Sequence, residues 1–511
     1  MSRKRKIEFG DFQTPYELAY EVTQLLKSTG VSPSAVIEPT CGMGSFLKSS
    51  MKTFNGKVQF SGFDINPDYV AELKSSLSSG LNGKCDIKIQ NFFEMNWPTY
   101  FKSLPDNLLI VGNPPWVTNS GLGALRSNNL PKKNNFQKLG GFASKTGKAN
   151  FDISEWMLIK LLESLRNKKS CLAMLCKTAI ARKTLKHAWL NDFGLNNSSI
   201  HLFDAKKHFG VSVDACLFIT HTGGKASSQT ADIYPGLHFK KRQSKLGIVG
   251  KELVADVNSY RRYRDFDGLE YYKWRSGVKH DAVKVMEFKK EDGVYINGFN
   301  EKCDLESEFL FPLLKSSDIA NGRLTPNKYV LLTQKGVSDD TGIIRKKAPK
   351  TWRYLLKHAA LLDKRKSIIY DKRPRFSIFG IGSYTFAPWK VAISGLYKNI
   401  SFVEIGKYKR KPVVVDDTCY FIPCNSEKET SFITNLLNSK AAKGFIDSLI
   451  FLDAKRPVTI DILKRIDLKK LAEKSGKEKE AKSYLENSGL SDSNQKVLVF
   501  EKTPKYKRKH A

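Results

Sequence analysis

Three short motifs, each placed where an apolar run ends, contain residue types that could bind and orient a small polar ligand. The first is IEPTCGMGSF, residues 37–46. Its glycines let the backbone approach a ligand closely, whereas the acidic Glu38 would repel a phosphate and attract an ammonium group. The motif lacks the GxGxxG spacing of dinucleotide sites and therefore favours a zwitterionic amino-acid ligand. A glycine turn that only packs a strand against a helix is the alternative.

The second motif is GFDINP, residues 62–67, in which Asp64 ends the next apolar run. A carboxylate at the end of a strand can accept hydrogen bonds from two ribose hydroxyls. An isolated aspartate there is more often a turn residue, but roughly twenty residues after a glycine turn the position favours a nucleoside ligand.

The third motif is VGNPPW, residues 111–116. An aromatic amine is a poor nucleophile because its lone pair is delocalised into the ring, and hydrogen-bond acceptors that favour a tetrahedral nitrogen correct this. The side-chain oxygen of Asn113 and the carbonyl of Pro114 could accept the two amine hydrogens. Pro114 and Pro115 would fix the backbone, and Trp116 would offer a face for stacking. The alternative is an Asn-Pro turn with a buried tryptophan.

The elements that position these motifs follow one rhythm from residue 31 to residue 222, with short apolar runs alternating with helical patterns. This rhythm predicts an α/β fold with a doubly wound sheet that carries helices on both faces. The predicted strands cover residues 35–38, 58–64, 107–111 and 171–175, and the predicted helices cover 69–77 and 155–165.

Beyond residue 222 the rhythm stops, and the sequence predicts a linker over 223–230 followed by a second domain. The clearest helix of that domain is predicted over 430–449, and a frayed basic tail over 501–511. The segment 118–150 contains no acidic residue and is expected to be a long mobile loop. A DNA clamp and an idle surface insertion are equally good interpretations of that segment.

Lysine and arginine number 85 against 51 acidic residues, a formal charge of +34 that predicts a polyanionic partner such as nucleic acid. A hydrophobic content of 41% without a membrane-length apolar run, and an N-terminus without a secretory signal, predict a cytoplasmic protein with no membrane partner. The eight cysteines are scattered singly, so no metal site is expected.

The second half of the chain repeatedly interleaves basic and aromatic residues, a composition that favours phosphate contacts. Any single cluster is more often a solvated surface, but the collective excess favours a DNA-binding cleft. The clusters are RRYR (261–264), YYKWR (271–275), KRK (364–366), KRPRF (372–376) and KYKRK (407–411).

Together, the motifs and their order resemble the amino-group DNA methyltransferases of the gamma arrangement, which are adenine-specific and belong to restriction-modification systems. Residues 12–15 (FQTP) resemble the family's cofactor entry motif, residues 38–44 its glycine loop, and Asp64 its ribose acid. In residues 90–93 (QNFF), Asn91 replaces the family's acid, and Phe92 is expected to line the adenine of the cofactor. Residues 208–216 (HFGVSVDAC) resemble a later motif whose aromatic, Phe209, would sandwich the substrate adenine with Trp116. Phe209 as a plain core residue is an equal alternative.

The resemblance implies a Rossmann-like catalytic domain over 1–222 and a C-terminal α+β target-recognition domain over 231–500, with similarity extending to residues 274–281 and 453–457. It implies S-adenosylmethionine as cofactor, double-stranded DNA as substrate, and methylation of the 6-amino group of a flipped adenine. The enzyme would act as a monomer and protect host DNA from a partner endonuclease without a stable complex. The expected cofactor-binding residues are Phe12, Thr14, Pro15, Glu38, Pro39, Cys41, Gly42, Gly44, Asp64, Asn91, Phe92 and Asn113.

Four other activities are compatible with parts of this pattern. A protein-glutamine methyltransferase faces the same nucleophilicity problem, but it would not need a large basic second domain. Methylation of a cytosine amine in DNA, or of adenine in RNA, is a closer alternative. A combined methyltransferase and nuclease would need a metal-binding acidic cluster, and the sequence shows no convincing one.

Overall fold

The computed structural model describes residues 12–54, 56–77, 85–117, 152–224 and 226–485, and the chain divides into two compact units. Unit 1 comprises the chain up to Arg261 together with Asp447–Ala454, and unit 2 comprises Arg262–Ile446 and the chain from Lys455 onward. The loop expected over 118–150 and the tail expected over 501–511 lie outside the described residues. Within the described ranges, no helix combines the length and the apolar composition that crossing a membrane requires.

Unit 1 contains ten strands and eight helices in the described ranges, one of which, α8, runs into unit 2. The strands are β1 (Ala35–Glu38), β2 (Gln59–Asp64), β3 (Cys85–Ile89), β4 (Leu108–Gly112), β5 (Ser170–Lys177), β6 (Asn196–Asp204), β7 (Asp214–Thr222), β8 (Thr230–Tyr234), β9 (Ser244–Val249) and β10 (Glu252–Val254). The helices are α1 (Tyr16–Ser28), α2 (Ser45–Thr53), α3 (Pro67–Leu77), α4 (Trp97–Ser103), α5 (Ile153–Ser164), α6 (Thr178–Leu190), α7 (Ala205–Phe209) and α8 (Val257–Tyr263).

The ten strands form one sheet in the order β10-β9-β8-β6-β7-β5-β4-β1-β2-β3. The strands from β3 to β5 run parallel, so their carboxyl ends meet at one edge of the sheet. Alternate residues of each central strand face opposite sides, with Ile37 packing toward α5 and Val36 toward α1 and α2. Helices therefore cover both faces, which confirms the predicted doubly wound α/β architecture.

The boundary of unit 1 differs from the one expected at residue 222. β8 begins at Thr230, at the end of the expected linker, and pairs in parallel with β6, and β9 and β10 extend the same sheet. Ala231 and Leu246 are almost fully buried in the core of unit 1, so this part of the chain belongs to the sheet. Asp447–Ala454 joins unit 1 as well, where Asp453 forms an ion pair with Arg182.

Unit 2 contains strands and helices without the βαβ alternation. Its strands are β11 (Arg275–Ser276), β12 (Glu287–Glu291), β13 (Val294–Asn297), β14 (Lys302–Cys303), β15 (Leu310–Leu314), β16 (Lys328–Leu331), β17 (Trp389–Ser394), β18 (Val403–Ile405), β19 (Val414–Val415) and β20 (Cys419–Cys424). Its helices are α9 (Val283–Met286), α10 (Ser316–Ala320), α11 (Ile343–Lys347), α12 (Pro349–Lys357), α13 (Ala359–Asp363), α14 (Glu427–Leu437), α15 (Lys440–Leu449, which runs into unit 1), α16 (Ile460–Leu463), α17 (Leu468–Lys474) and α18 (Glu478–Leu485).

The strands of unit 2 form two sheets, in the orders β14-β13-β12-β16-β15-β19 and β11-β20-β17-β18, and all their pairs except β15 with β19 are antiparallel. The α+β class expected for this half is confirmed. The single helix predicted over 430–449 is wrong, because α14 ends at Leu437 and α15 begins at Lys440. Asn438 exchanges two hydrogen bonds with the backbone of Phe402, and the Ser439 hydroxyl accepts the amide of Ala442, so side chains end one helix and start the next.

Gly277, in the segment that resembles restriction-modification enzymes, marks a point in unit 2 where backbones meet. A Cβ at Gly277 would overlap the carbonyl oxygens of Val415 and Asp416, and one at Gly380 would overlap the carbonyl of Gly277. The amide of Val278 donates to the carbonyl of Val415 at 2.8 Å, which holds the strands at this spacing. The glycine therefore has a packing role.

We expect Gly277→Ala to destabilise the protein by at least about 2 kcal/mol, because backbone carbonyls cannot turn away from the added methyl group. Thermal unfolding of the full chain measures the effect. Gly342→Ala is the control, since its nearest neighbour is the exposed carboxylate of Asp340 at 3.1 Å, and it should change stability by less than about 0.5 kcal/mol. Equal melting temperatures for the two variants would contradict the packing role.

Candidate active site

The order of strands in unit 1 reverses at β1, which lies between β2 and β4. Ligands of such sheets bind in the crevice at the carboxyl ends of the strands beside this reversal. Glu38 ends β1, Asp64 ends β2 and Asn113 follows β4, so the three motifs of the sequence converge on this crevice.

A cavity of about 990 Å³, part of it open to solvent, occupies the crevice. It is lined by most residues expected to bind a cofactor, namely Phe12, Thr14, Glu38, Pro39, Cys41, Gly42, Asp64, Asn91, Phe92 and Asn113. Pro15 and Gly44 are not among its lining residues. Of the residues assigned to catalysis, Asn113 and Pro115 line the cavity, whereas Pro114, Trp116 and Phe209 do not.

The two glycines of the first motif have different tasks. Gly42 has a φ of 47°, and a Cβ there would lie 2.6 Å from the side-chain oxygen of Gln13. Gly44 has a φ of 75° at the N-cap of α2, where a Cβ would overlap the side chain of Leu73. Gly42 therefore shapes the cavity wall, and Gly44 lets α2 pack closely against α3.

Asp64 fixes the turns on both sides of the crevice. Its Oδ2 accepts the amide of Gly42 at 2.8 Å, and its Oδ1 accepts the amide of Asn66 at 2.8 Å. The carboxylate is therefore held by backbone groups from two loops. Because a carboxylate can accept about four hydrogen bonds, this orientation is compatible with a hydroxyl-bearing ligand.

Glu38 is a buried acid in the wall of the cavity. Its side chain is 3% exposed, and Oε2 accepts the amide of Leu47 at 3.1 Å. Burial raises the pKa of Glu38 well above its usual value, the Leu47 hydrogen bond opposes that shift, and the charge of Asp64 adds to it. Burial also raises the pKa of the neighbouring Cys41 thiol, so Cys41 is a small apolar wall residue.

The N-terminal segment, residues 12–15, is hydrogen-bonded to each part of the crevice. The carbonyl of Phe12 accepts Nδ2 of Asn113 at 3.1 Å, and the side-chain oxygen of Gln13 accepts the amide of Met43 at 3.0 Å. The hydroxyl of Ser45 donates to the carbonyl of Thr14 at 2.7 Å. In the sequence, only the resemblance to an entry motif marks this segment, and no local pattern singles out Gln13 or Ser45.

Asn113 has one satisfied and one unsatisfied end. Its Nδ2 donates to Phe12, whereas its Oδ1 is buried and has no hydrogen-bond partner among the described residues. A buried acceptor without a partner is costly, and such groups concentrate at functional sites. The amide is therefore oriented with its oxygen available to a ligand that carries a hydrogen-bond donor.

Trp116 and Phe209 form an aromatic cluster with Phe12. The rings of Trp116 and Phe209 meet edge to face, with centroids 5.3 Å apart and planes at 67°, and Phe12 lies 6.0 Å from Trp116. Trp116 is buried, and its indole nitrogen donates to the carbonyl of Leu175. The two rings touch, so the adenine sandwich expected between them does not fit this arrangement, whose ring spacing leaves no room for a base.

A charged pair next to the third motif has no counterpart in the sequence analysis. Lys177, at the end of β5, contacts Oδ2 of Asp152 at 2.6 Å and donates to the carbonyl of Trp116 at 3.3 Å. Asp152 caps α5 through the amide of Ser154. The two residues are distant from the motif in sequence, so no local pattern could have revealed that they support it.

The side of the cavity after β3 combines polar and aromatic groups. Asn91 accepts the amide of Phe93 at 3.0 Å, which makes a local turn rather than a contact across the cavity. Phe92 is buried against Trp97 and also lines the cavity. The cavity has further lining residues that were not predicted from the sequence, namely Gln13, Thr40, Ser45, Ile65, Asn66, Tyr69, Gln90, Phe93, Val117, Ile153 and Met157.

Comparison with known proteins shows the family of the chain. It is 43% identical over 471 residues to the type II methyltransferase M.NspV of Nostoc sp., an alignment that covers 92% of this chain and 98% of that protein. The chain belongs to the type II methyltransferases. These are the modification enzymes of restriction-modification systems and take their methyl group from S-adenosylmethionine, so the family resemblance and the cofactor expected from the sequence are confirmed.

Two other similarities are more distant, and a scan against protein-family models found no match. The methyltransferase is 30% identical over 118 residues to the type II methyltransferase M.CvrRI of Paramecium bursaria Chlorella virus XZ-6E, which covers 23% of this chain and 27% of that protein. The solved structure of the Type IIL restriction-modification enzyme MmeI in complex with DNA aligns with a TM-score of 0.53 and 14% identity. That alignment covers 91% of this chain and 69% of MmeI, and it supports the fold.

The residues of the cavity suit S-adenosylmethionine chemically. A buried carboxylate, Glu38, matches the ammonium of an amino acid, and the held carboxylate of Asp64 matches ribose hydroxyls. Phe92, Ile65 and Met157 provide apolar surface for a purine. The buried oxygen of Asn113 is an acceptor for which no donor lies among the described residues.

Binding of S-adenosylmethionine should tighten as the pH rises above the usual pKa of a glutamate and through the raised pKa of Glu38, because a ligand ammonium favours the charged form of this acid. Glu38→Gln should weaken binding about tenfold or more and remove this pH dependence. In the ligand-free protein the pH dependence of stability has the opposite sign: stability relative to Glu38→Gln is greatest below the pKa of an unfolded glutamate and falls as the pH rises through the raised pKa of Glu38.

Isothermal titration calorimetry at several pH values measures the affinity for S-adenosylmethionine and its pH dependence. Glu72→Gln, an exposed residue of α3, is the matched control and should bind like the unmodified protein. An identical pH dependence in Glu38→Gln and the unmodified protein would show that Glu38 does not face the ammonium group.

Proposed function

We propose that this methyltransferase is a site-specific, gamma-arranged DNA methyltransferase that modifies the 6-amino group of an adenine flipped out of duplex DNA. It would act as a monomer on one strand per visit and protect host DNA from a partner endonuclease. The observation that carries the assignment of an amine as target is the buried, unpartnered Oδ1 of Asn113 at the carboxyl end of β4.

Asn113 is oriented by its own hydrogen bond. Because Nδ2 is engaged by the carbonyl of Phe12, the oxygen points away from the N-terminal segment and can accept a hydrogen from the substrate amine. The carbonyl of Pro114 is the second acceptor, as expected from the motif. Two acceptors draw the amine toward tetrahedral geometry and return its lone pair to nitrogen, so no strong general base is required.

The remaining cavity residues bind the cofactor. Glu38 would hold its ammonium group, Asp64 its ribose hydroxyls, and Phe92 its adenine ring. When bound, S-adenosylmethionine supplies an electrophilic methyl group. The chain's own contribution is to bind both reactants in one crevice and to align the amine, which accounts for a large part of such rate enhancements.

The substrate base would stack on Phe12, which lines the cavity and is packed against the rings of Trp116 and Phe209. The contact between Trp116 and Phe209 leaves no gap between the rings, but both belong to the segments next to the acceptors of the amine. The ion pair of Lys177 with Asp152 holds the carbonyl of Trp116 and thereby limits movement of the NPPW segment. A flipped base therefore meets a rigid aromatic surface.

DNA as the substrate is supported by charge and by the presence of unit 2. The chain carries 34 more basic than acidic residues, and extraction of a base from a duplex needs extensive phosphate contacts. The relative M.NspV is named a type II methyltransferase, and MmeI was solved with DNA. A methyltransferase acting on a small protein side chain would not need unit 2.

Asn113→Ala should lower formation of 6-methyladenine at least about a hundredfold while leaving S-adenosylmethionine binding within a few-fold, because the acceptor of the amine is lost. Asn113→Asp keeps an acceptor oxygen but loses the donor to Phe12, so it should retain more activity than alanine. The test incubates unmethylated plasmid DNA with labelled S-adenosylmethionine and digests the product to nucleosides.

The control is Asn321→Ala in unit 2, an asparagine outside the cavity, which should methylate at the normal rate. Label in cytosine would refute the choice of base, and label only in RNA or protein would refute DNA modification. Full activity of Asn113→Ala would refute the mechanism.

A further inference from the structure

A tight hairpin in unit 2, residues 408–411, adopts a backbone conformation that its sequence does not favour. Tyr408 and Lys411 exchange two backbone hydrogen bonds, at 2.9 and 3.0 Å. The two residues between them, Lys409 and Arg410, have φ angles of 49° and 67°. Positive φ at both central positions is the geometry of a type I′ turn, for which Asn-Gly is strongly preferred.

Lysine and arginine in these positions are strained, because the left-handed conformation brings Cβ close to the backbone. The fold gains little in return. The Lys409 ammonium lies over the ring of Tyr408 at 5.3 Å without an ion pair to a described residue, and the guanidinium of Arg410 has no hydrogen bond or ion pair to any described residue. Both side chains are exposed. Because few contacts within unit 2 compensate for this backbone strain, the two side chains are expected to act on a partner outside the unit.

The base of this hairpin is anchored, so its tip is presented rigidly. The ammonium of Lys411 donates to the backbone carbonyls of Ser307 and Leu310, and Val413 is buried in the core. On the other side, a Cβ at Gly406 would lie 2.8 Å from the ring of Trp389, so the chain is packed closely before it reaches the tip.

The surface around the tip is basic and aromatic. Lys411 lies over the ring of Phe311 at 5.3 Å, and Lys290 lies over the ring of Tyr295 at 4.8 Å. The combination of cations with aromatic rings is suited to a phosphate backbone and its bases.

Two arginines in other basic clusters of unit 2 are used internally. Arg365 donates to the carbonyls of His280 and Ser377, and Arg375 pairs with Asp363 at 2.7 Å. These arginines belong to the KRK and KRPRF clusters, which the sequence alone could not distinguish from KYKRK. Arg410 differs because its fork of donors faces solvent.

We infer that the Lys409–Arg410 tip is a sequence-reading element of this methyltransferase that enters the major groove of duplex DNA. The major groove admits a two-stranded ribbon, and an arginine there contacts guanine through two hydrogen bonds. Arg410 would read a guanine of the target sequence, and Lys409 would contact a neighbouring phosphate. This inference rests on the proposed DNA methylation and adds the residues that select the site.

The double variant Lys409→Asn with Arg410→Gly tests the inference, because Asn-Gly keeps the turn and relieves its strain. We expect an unchanged or higher melting temperature, unchanged S-adenosylmethionine binding, and a loss of about tenfold or more in the preference for the target over sites that differ at one base pair. Sequencing of methylated positions in a plasmid library measures the preference. Arg410→Lys keeps the charge but loses the paired donors of the guanidinium, so it should lose most of the preference for the target site.

Lys469→Gln with Lys474→Gln removes the same charge from α17 and should lower DNA affinity without changing the preferred site. A folded Asn-Gly variant that keeps the full preference for the target site would overturn the inference. An equal loss of site preference in the α17 variant would overturn it as well. If the unmodified protein transfers no label to DNA, the proposed function fails; fluorescence anisotropy with duplex DNA then tests the tip separately. Equal duplex affinity of the unmodified protein and the Asn-Gly variant would refute the tip as a DNA contact.

Discussion

The carboxylate of Asp64 is the contact on which the arrangement of the crevice depends. It accepts backbone amides from Gly42, in the loop after β1, and from Asn66, in the loop after β2. Loops at the ends of buried parallel strands have amides without strand partners, and one acid satisfies two of them here. The glycine loop, α2 and the cavity wall therefore keep a fixed position relative to β2. The acid that the sequence marks as a ligand group thus also organises the loops that surround the ligand.

The second constraint is the bond from Asn113 to the N-terminal segment. An asparagine side-chain amide can rotate by 180°, and a fixed hydrogen-bond partner decides which end faces a substrate. The Phe12 carbonyl takes the donor, so the acceptor remains for an amine, while Gln13 and Thr14 fasten the same segment to the glycine loop. The Asn113 side chain after β4 is consequently held by a residue about a hundred positions earlier, and the segment of that residue forms part of the cavity wall.

Charge in this methyltransferase has two distinct uses. Several arginines of unit 2 satisfy carbonyls and carboxylates and so stabilise the domain, as Arg365 and Arg375 do. The exposed tip at Lys409 and Arg410 does the opposite, because it keeps a strained backbone and leaves its cations to solvent. The basic residues behind the formal charge of +34 therefore do not all serve DNA binding. The distinction matters for specificity, since phosphate contacts position a protein whereas rigidly held side chains read bases.

The sequence by itself determined the α/β class, the positions of β1, β2 and β4, and the residues that follow them. Short continuous apolar runs and glycine or proline breaks are local signals, and parallel strands bring their carboxyl ends to one edge of the sheet. Tertiary structure decided the sheet extension beyond residue 222, the break at Asn438, the Trp116–Phe209 contact and the support from Lys177. Each of these features depends on partners distant in sequence, or on which of several side chains forms a hydrogen bond to an unpaired backbone group. No local pattern records such competition, because it is settled only when the core packs.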